Sequence, residues 1–103
     1  MQKRTKATSI KKKVRDEVLH RDHYNCVNCG TTQMLTIAHV FVSRAKGGLG
    51  VKENLATLCM ECHHKYDNGL KREMTEVQTN VVEYMLNLYE MEVFDTLKYM
   101  KYK

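Results

Sequence analysis

The sequence predicts a small α+β domain in which two short strands and a helix occupy the middle of the chain and further helices flank them. Three observations predict it. Two Cys-x-x-Cys units, Cys26/Cys29 and Cys59/Cys62, bracket the central stretch. Between them, β-branched and apolar residues concentrate in MLTIAHVFV and again before Cys59. Outside them, apolar residues recur at helical spacing. A chain of 103 residues is one domain's worth and small for a self-sufficient core, so a cross-link is expected.

Taken in order, residues 1–8 are polar and basic without apolar period and read as a flexible arm. Residues 9–23 predict a helix, with Ser9 as N-cap and Ile10, Val14, Val18 and Leu19 as its apolar stripe. Cys26-Val-Asn-Cys29-Gly30 reads as a metal knuckle, with Gly30 supplying the positive φ of such a turn. A strand follows over Met34–Val42, then a glycine-rich basic loop, SRAKGGLG, and a second strand over Ala56–Cys59. A helix over Met60–Asn68 is stopped by Asn68-Gly69 and closes a core spanning residues 26–69. Residues 75–103 predict acidic helices: Thr75 with Gln78 makes a capping-box pattern, and Val77, Val81, Tyr84, Met85 and Leu88 form a stripe. Val93, Phe94 and Leu97 repeat that pattern in a second short helix after Glu90. No internal repeat divides the chain, so residues 1–103 read as a single domain.

Charge is uneven. Residues 1–15 hold seven cations and no acid, against a net charge of +5 for the whole chain, so the remainder is slightly acidic. A basic arm on a near-neutral body suits a polyanion contacted mainly from one side. No apolar run reaches membrane-spanning length and no apolar segment follows the basic N-terminus, so a cytoplasmic, membrane-free protein is expected. Cysteines there stay reduced and tend to hold metal.

Four thiolates in two such units match a structural Zn²⁺ site of Cys26, Cys29, Cys59 and Cys62. The 29 residues between Cys29 and Cys59 exceed a compact zinc ribbon and have room for strand, loop and strand. On the helix that follows, His63 and Asp67 are one turn apart and share a face, suited to a divalent cation with open positions. Cys62 is rotated about 100° from His63, so one points to the zinc and the other to a cleft. His39, on the first strand, is placed to face that cleft.

The order Cys-x-x-Cys, AHVFVSRAKGG, ENLATLCMECHHKYD resembles the zinc-stapled ββα-metal nucleases of the HNH endonuclease family, notably phage and bacterial members. The resemblance is close over Cys26–Gly69 and looser over the preceding helix. It implies a small ββα-metal core that hydrolyses phosphodiester bonds in DNA, by nicking or double-strand cleavage. His39 would be the general base, Asn54 would orient it by fixing the loop, and His63 with Asp67 would hold a catalytic Mg²⁺, Mn²⁺ or other divalent cation. Arg44 and Lys46 beside the base, with Lys11, Lys12 and Lys13, are the expected DNA contacts, with weak sequence preference. By resemblance alone, a phage terminase subunit is an admissible partner, in a bacterial or infected-cell cytoplasm, for a monomer or homodimer.

One departure stands out. Many relatives carry Asp or His immediately before the first motif histidine, where this chain has Ala38. That substitution supports an alternative: a zinc-bound DNA-binding module, or a packaging accessory protein, without turnover. His39, Asn54 and His63 standing together argue against it, because a bare scaffold has little need of all three.

Overall fold

Strands β1 (Leu35–His39) and β2 (Leu55–Cys59) pair antiparallel, with Leu35 opposite Cys59 and His39 opposite Leu55. The computed structural model describes residues 7–90 together with Val93, Thr96 and Leu97. Among the described residues, three α-helices of more than two residues stand around the hairpin: α1 (Lys12–Arg21), α2 (Met60–Asn68) and α3 (Lys71–Leu86). Order and pairing are those of a ββα unit flanked by a helix on each side.

The core sits between the hairpin, α2 and α3. Ala38, Val40, Ala56 and Leu58 pack there with Val77, Val81 and Met85, joined by Cys26, Cys59 and Cys62. Side chains alternate along β1, so Thr36 and Ala38 share one face. That face meets α2: Thr36 touches His63, and Ala38 is buried opposite Ala56.

A polar hub ties α1 to the rest. Arg21 donates to the carbonyls of Lys52 and Leu55, both at 2.8 Å, and to the Tyr89 hydroxyl. The fully buried Asp22 carboxylate accepts from Arg21, from the Thr57 amide at 2.9 Å and from the Tyr84 hydroxyl at 2.6 Å. Burial, followed by the bond to Asp22, pushes the Tyr84 phenol up to about 12, which keeps it a donor at every ordinary pH.

Several element boundaries differ from expectation. The first helix begins at Lys12, not Ser9, with Lys11 at its N-cap, and the Ser9 hydroxyl accepts from Arg44. Of the arm, Ala7 and Thr8 are helical and Thr8 is buried, because they seat against the main body; residues 1–6 lie outside the described residues. Strand β1 stops at His39 instead of Val42, because the Asn54 side chain takes the amides of Phe41 and Val42. The last helix starts at Lys71 and not Thr75. Glu73 reaches back to the Leu70 amide at 2.9 Å, so the cap lies five residues earlier, at Leu70, and Thr75 falls inside the helix. Val77, Val81 and Met85 are buried as the stripe predicts, while Leu88 lies past the helix end and is exposed. The short helix expected after Glu90 falls largely outside the described residues.

Candidate metal centre and active site

The first knuckle follows the turn after α1, and the second spans the β2–α2 junction. The Cys29 amide points at Cys26 Sγ (3.5 Å) and the Cys62 amide at Cys59 Sγ (3.4 Å), so each unit folds around its own first sulfur. Gly30 takes φ +82°, as the first knuckle requires. All four sulfurs lie within 4.8 Å of one another, and Cys29 and Cys59 are 3.7 Å apart. Two sulfurs on a tetrahedral Zn²⁺ with bonds near 2.3 Å would be about 3.8 Å apart, so the set fits that ion. Burial alone would raise the Cys26 thiol, but backbone amides of Cys29, Cys59 and Asn28 outweigh it and bring the thiol down to about 7. Burial pushes Cys62 up. Four sulfurs this close cannot all ionise unless a cation neutralises them.

The second constellation spans β1 and α2. The Thr36 hydroxyl donates to the Leu58 carbonyl (3.0 Å), so its oxygen accepts from His63 Nδ1–H at 2.8 Å. That fixes the lone pair of neutral His63 on Nε2, which faces Asp67 Oδ2 at 3.1 Å. A lone pair and a carboxylate oxygen at that distance repel unless a proton or a cation lies between them. Neighbouring ligands of an octahedral Mg²⁺ with bonds near 2.1 Å would be about 3.0 Å apart, so the pair fits two positions of such an ion.

Asp67 and His39 line one cavity of about 560 Å³ together with Phe41, Lys46, Tyr66 and Gln78. His39 is half-buried, and its Nε2 meets the Thr8 carbonyl at 2.9 Å. Burial holds the His39 pKa below its usual 6.5, the Thr8 carbonyl opposes this, and the nearby Arg44 guanidinium reinforces it.

The backbone leaving His39 is pinned by Asn54, which is fully buried. Its Oδ1 accepts from the amides of Phe41 (3.1 Å) and Val42 (3.0 Å), and its Nδ2 donates to the carbonyls of Val42 and Leu49, both at 3.0 Å. Gly48 makes room for this: a Cβ there would lie 1.7 Å from the Val42 oxygen and 2.9 Å from Asn54 Nδ2. Tyr66 closes the loop's near end by donating to the Val40 carbonyl. Replacing Asn54 with Ala strands buried backbone groups. We expect a loss of about 3 kcal/mol, read as a lowered thermal midpoint at saturating zinc.

The expected DNA contacts are only partly gathered here. Lys46 lines the cavity, whereas Arg44 turns to the Ser9 hydroxyl at 3.0 Å. Lys11, Lys12 and Lys13 sit exposed at the start of α1 and line no part of the cavity, and Lys12 pairs with Asp16 at 2.9 Å. Thr36, Tyr66 and Thr8, which orient the site, carry no motif signal: each acts across 26 or more residues of sequence.

Comparison with known proteins accords with this geometry. Residues 26–69 match the HNH endonuclease family. The HNH segment therefore coincides with the two knuckles, the hairpin and α2. A protein of Nostoc sp. named Anaredoxin is 29% identical over 58 residues, which cover 56% of this chain and 76% of that protein. In three dimensions the chain resembles the Type IV phosphorothioation-dependent restriction endonuclease ScoMcrA, with a TM-score of 0.56 and 24% identity over 76% of this chain. The chain spans only 20% of that endonuclease, and the likeness is one of fold. No helix among the described residues is long and apolar enough to cross a membrane.

Proposed function

We propose that this protein is a divalent-cation-dependent DNA endonuclease whose HNH segment holds both a structural zinc and the catalytic groups. The observation that carries the reading is the His63–Asp67 pair, 3.1 Å apart, whose Asp67 lines the same cavity as His39. His39 takes the proton from a water molecule, and the hydroxide so formed attacks phosphorus with the bond to the 3′-oxygen breaking. His63 and Asp67 would hold a divalent cation, which when bound would supply charge neutralisation at the phosphate and the departing oxygen. Asn54 touches no substrate: it holds the 41–42 and 49 backbone and thereby sets where β1 ends and His39 stands. Lys46 offers the scissile region a phosphate contact, with Arg44 and Lys11–Lys13 engaging DNA farther out. Affinity would then fall steeply with salt and depend little on sequence.

A second reading is favoured by Ala38. It shares the β1 face of Thr36, beside His63, yet offers only a methyl group. Among the described residues, the four cysteines are the sole group of three or more His, Cys, Asp or Glu placed to hold one ion. A two-ligand cation site is weak, and a DNA-binding module without turnover would tolerate it.

Relaxation of supercoiled plasmid separates the two. Nicking that appears with Mg²⁺, Mn²⁺ or Ni²⁺ and stops with EDTA is the expected result, with the cation required at millimolar concentration. A folded, DNA-binding protein that never nicks under any of these cations establishes the second reading instead.

A further inference from the structure

The stretch before α1 reaches into the site from outside the matched segment. We propose that residues 7–9 are a strap that positions His39, the Thr8 carbonyl holding Nε2 so that Nδ1 is the nitrogen that accepts the proton. This rests on the nuclease reading above and adds to it a positioning element that motif residues do not supply.

A carbonyl oxygen only accepts, so the 2.9 Å contact from His39 Nε2 to Thr8 O requires a proton on Nε2. The lone pair of the neutral ring then resides on Nδ1. The strap itself is anchored on both sides of this contact. The Gly50 amide donates to the Ala7 carbonyl at 3.0 Å, and Arg44 donates to the Ser9 hydroxyl at 3.0 Å. Thr8 between them is 3% exposed, so this is seated chain and not a passing contact.

Gly50 is the seat. A Cβ at this position would lie 2.1 Å from the Ser9 oxygen and 3.1 Å from the Thr8 oxygen. These are backbone atoms, so any side chain at 50 must push the strap away. Position 50 belongs neither to the zinc site nor to the cavity lining, which makes it a handle on the strap alone.

The test uses the full zinc-loaded chain and two changes. Gly50→Ala displaces the strap sterically. A semisynthetic chain with the Thr8–Ser9 amide replaced by an ester keeps every side chain and weakens only that stretch of backbone, the ester carbonyl being the poorer acceptor. Two readouts are taken: protection of the His39 Nε2–H proton from solvent exchange by ¹⁵N-resolved NMR, and plasmid nicking. The wild type should show a protected proton. Both variants should lose that protection and nick about tenfold or more slowly, through kcat and with KM for DNA unchanged. A freely exchanging proton in the wild type overturns the strap whatever the nicking shows. Lost protection with undiminished nicking in the ester variant overturns its positioning role. A protected proton in a wild type that cleaves nothing overturns the nuclease reading, and the role of the strap in it.

Discussion

Removal of zinc is expected to unfold the domain. Three of the four cysteines belong to the buried cluster, and the remaining members include two alanines and three valines, so little apolar volume would hold the hairpin to α2 without the metal. Structural zinc contributes on the order of 10 kcal/mol of apparent free energy, comparable to the whole net stability of a domain of this size. A zinc-specific chelator should therefore abolish the far-ultraviolet signal of α2 and α3 in step with zinc release, and Cys59→Ser should do the same without chelator. A chelated protein that still melts cooperatively would show that the four sulfurs are incidental to folding. Because such unfolding would also separate His39 from Asp67, EDTA effects on nicking need circular dichroism at the same concentration to tell loss of fold from loss of a second cation.

His39→Ala should give the largest loss of activity with the least loss of structure. A positioned general base is worth about 10²- to 10⁴-fold, and the nicking rate should fall by that much. His39 lies outside the buried apolar cluster, so zinc content and thermal midpoint should stay near wild type. DNA affinity should also persist, because the phosphate contacts come from elsewhere. The pH dependence has a definite sign. Burial lowers the His39 pKa, so the base remains neutral below the usual 6.5 and the acid limb of the rate profile should fall below that value. A His39→Ala protein that nicks at the wild-type rate would remove His39 from the chemistry.

Much of this was legible in the chain because the decisive signals are short-range and discrete. Cysteine spacing located both knuckles, and the i, i+4 relation of His63 and Asp67 placed them on one face of α2, whose bounds were read directly as Met60–Asn68. Val77, Val81 and Met85 were recognisable as a buried stripe. Boundaries failed where a side chain from far along the sequence decided them. Asn54 ends β1 by capturing the Phe41 amide thirteen residues upstream, and no local propensity encodes that. Ser9 looked like a helix cap, yet it is claimed by Arg44 across 35 residues of sequence. The Thr8 contact to His39 lies between a backbone oxygen and a ring, so it leaves no residue-type signature at position 8.

The hub at the end of α1 has a consequence for association. A two-stranded sheet normally presents a row of unpaired amides and carbonyls to any passing extended chain. Along the middle of β2 that row is already taken: Arg21 holds the Leu55 carbonyl, Asp22 the Thr57 amide, and the Val27 amide the Thr57 carbonyl. An incoming peptide would have to displace these partners to add itself at β2 by main-chain pairing. On the β2 side, two copies meeting in a crowded cell would have to break these contacts before their sheets could fuse.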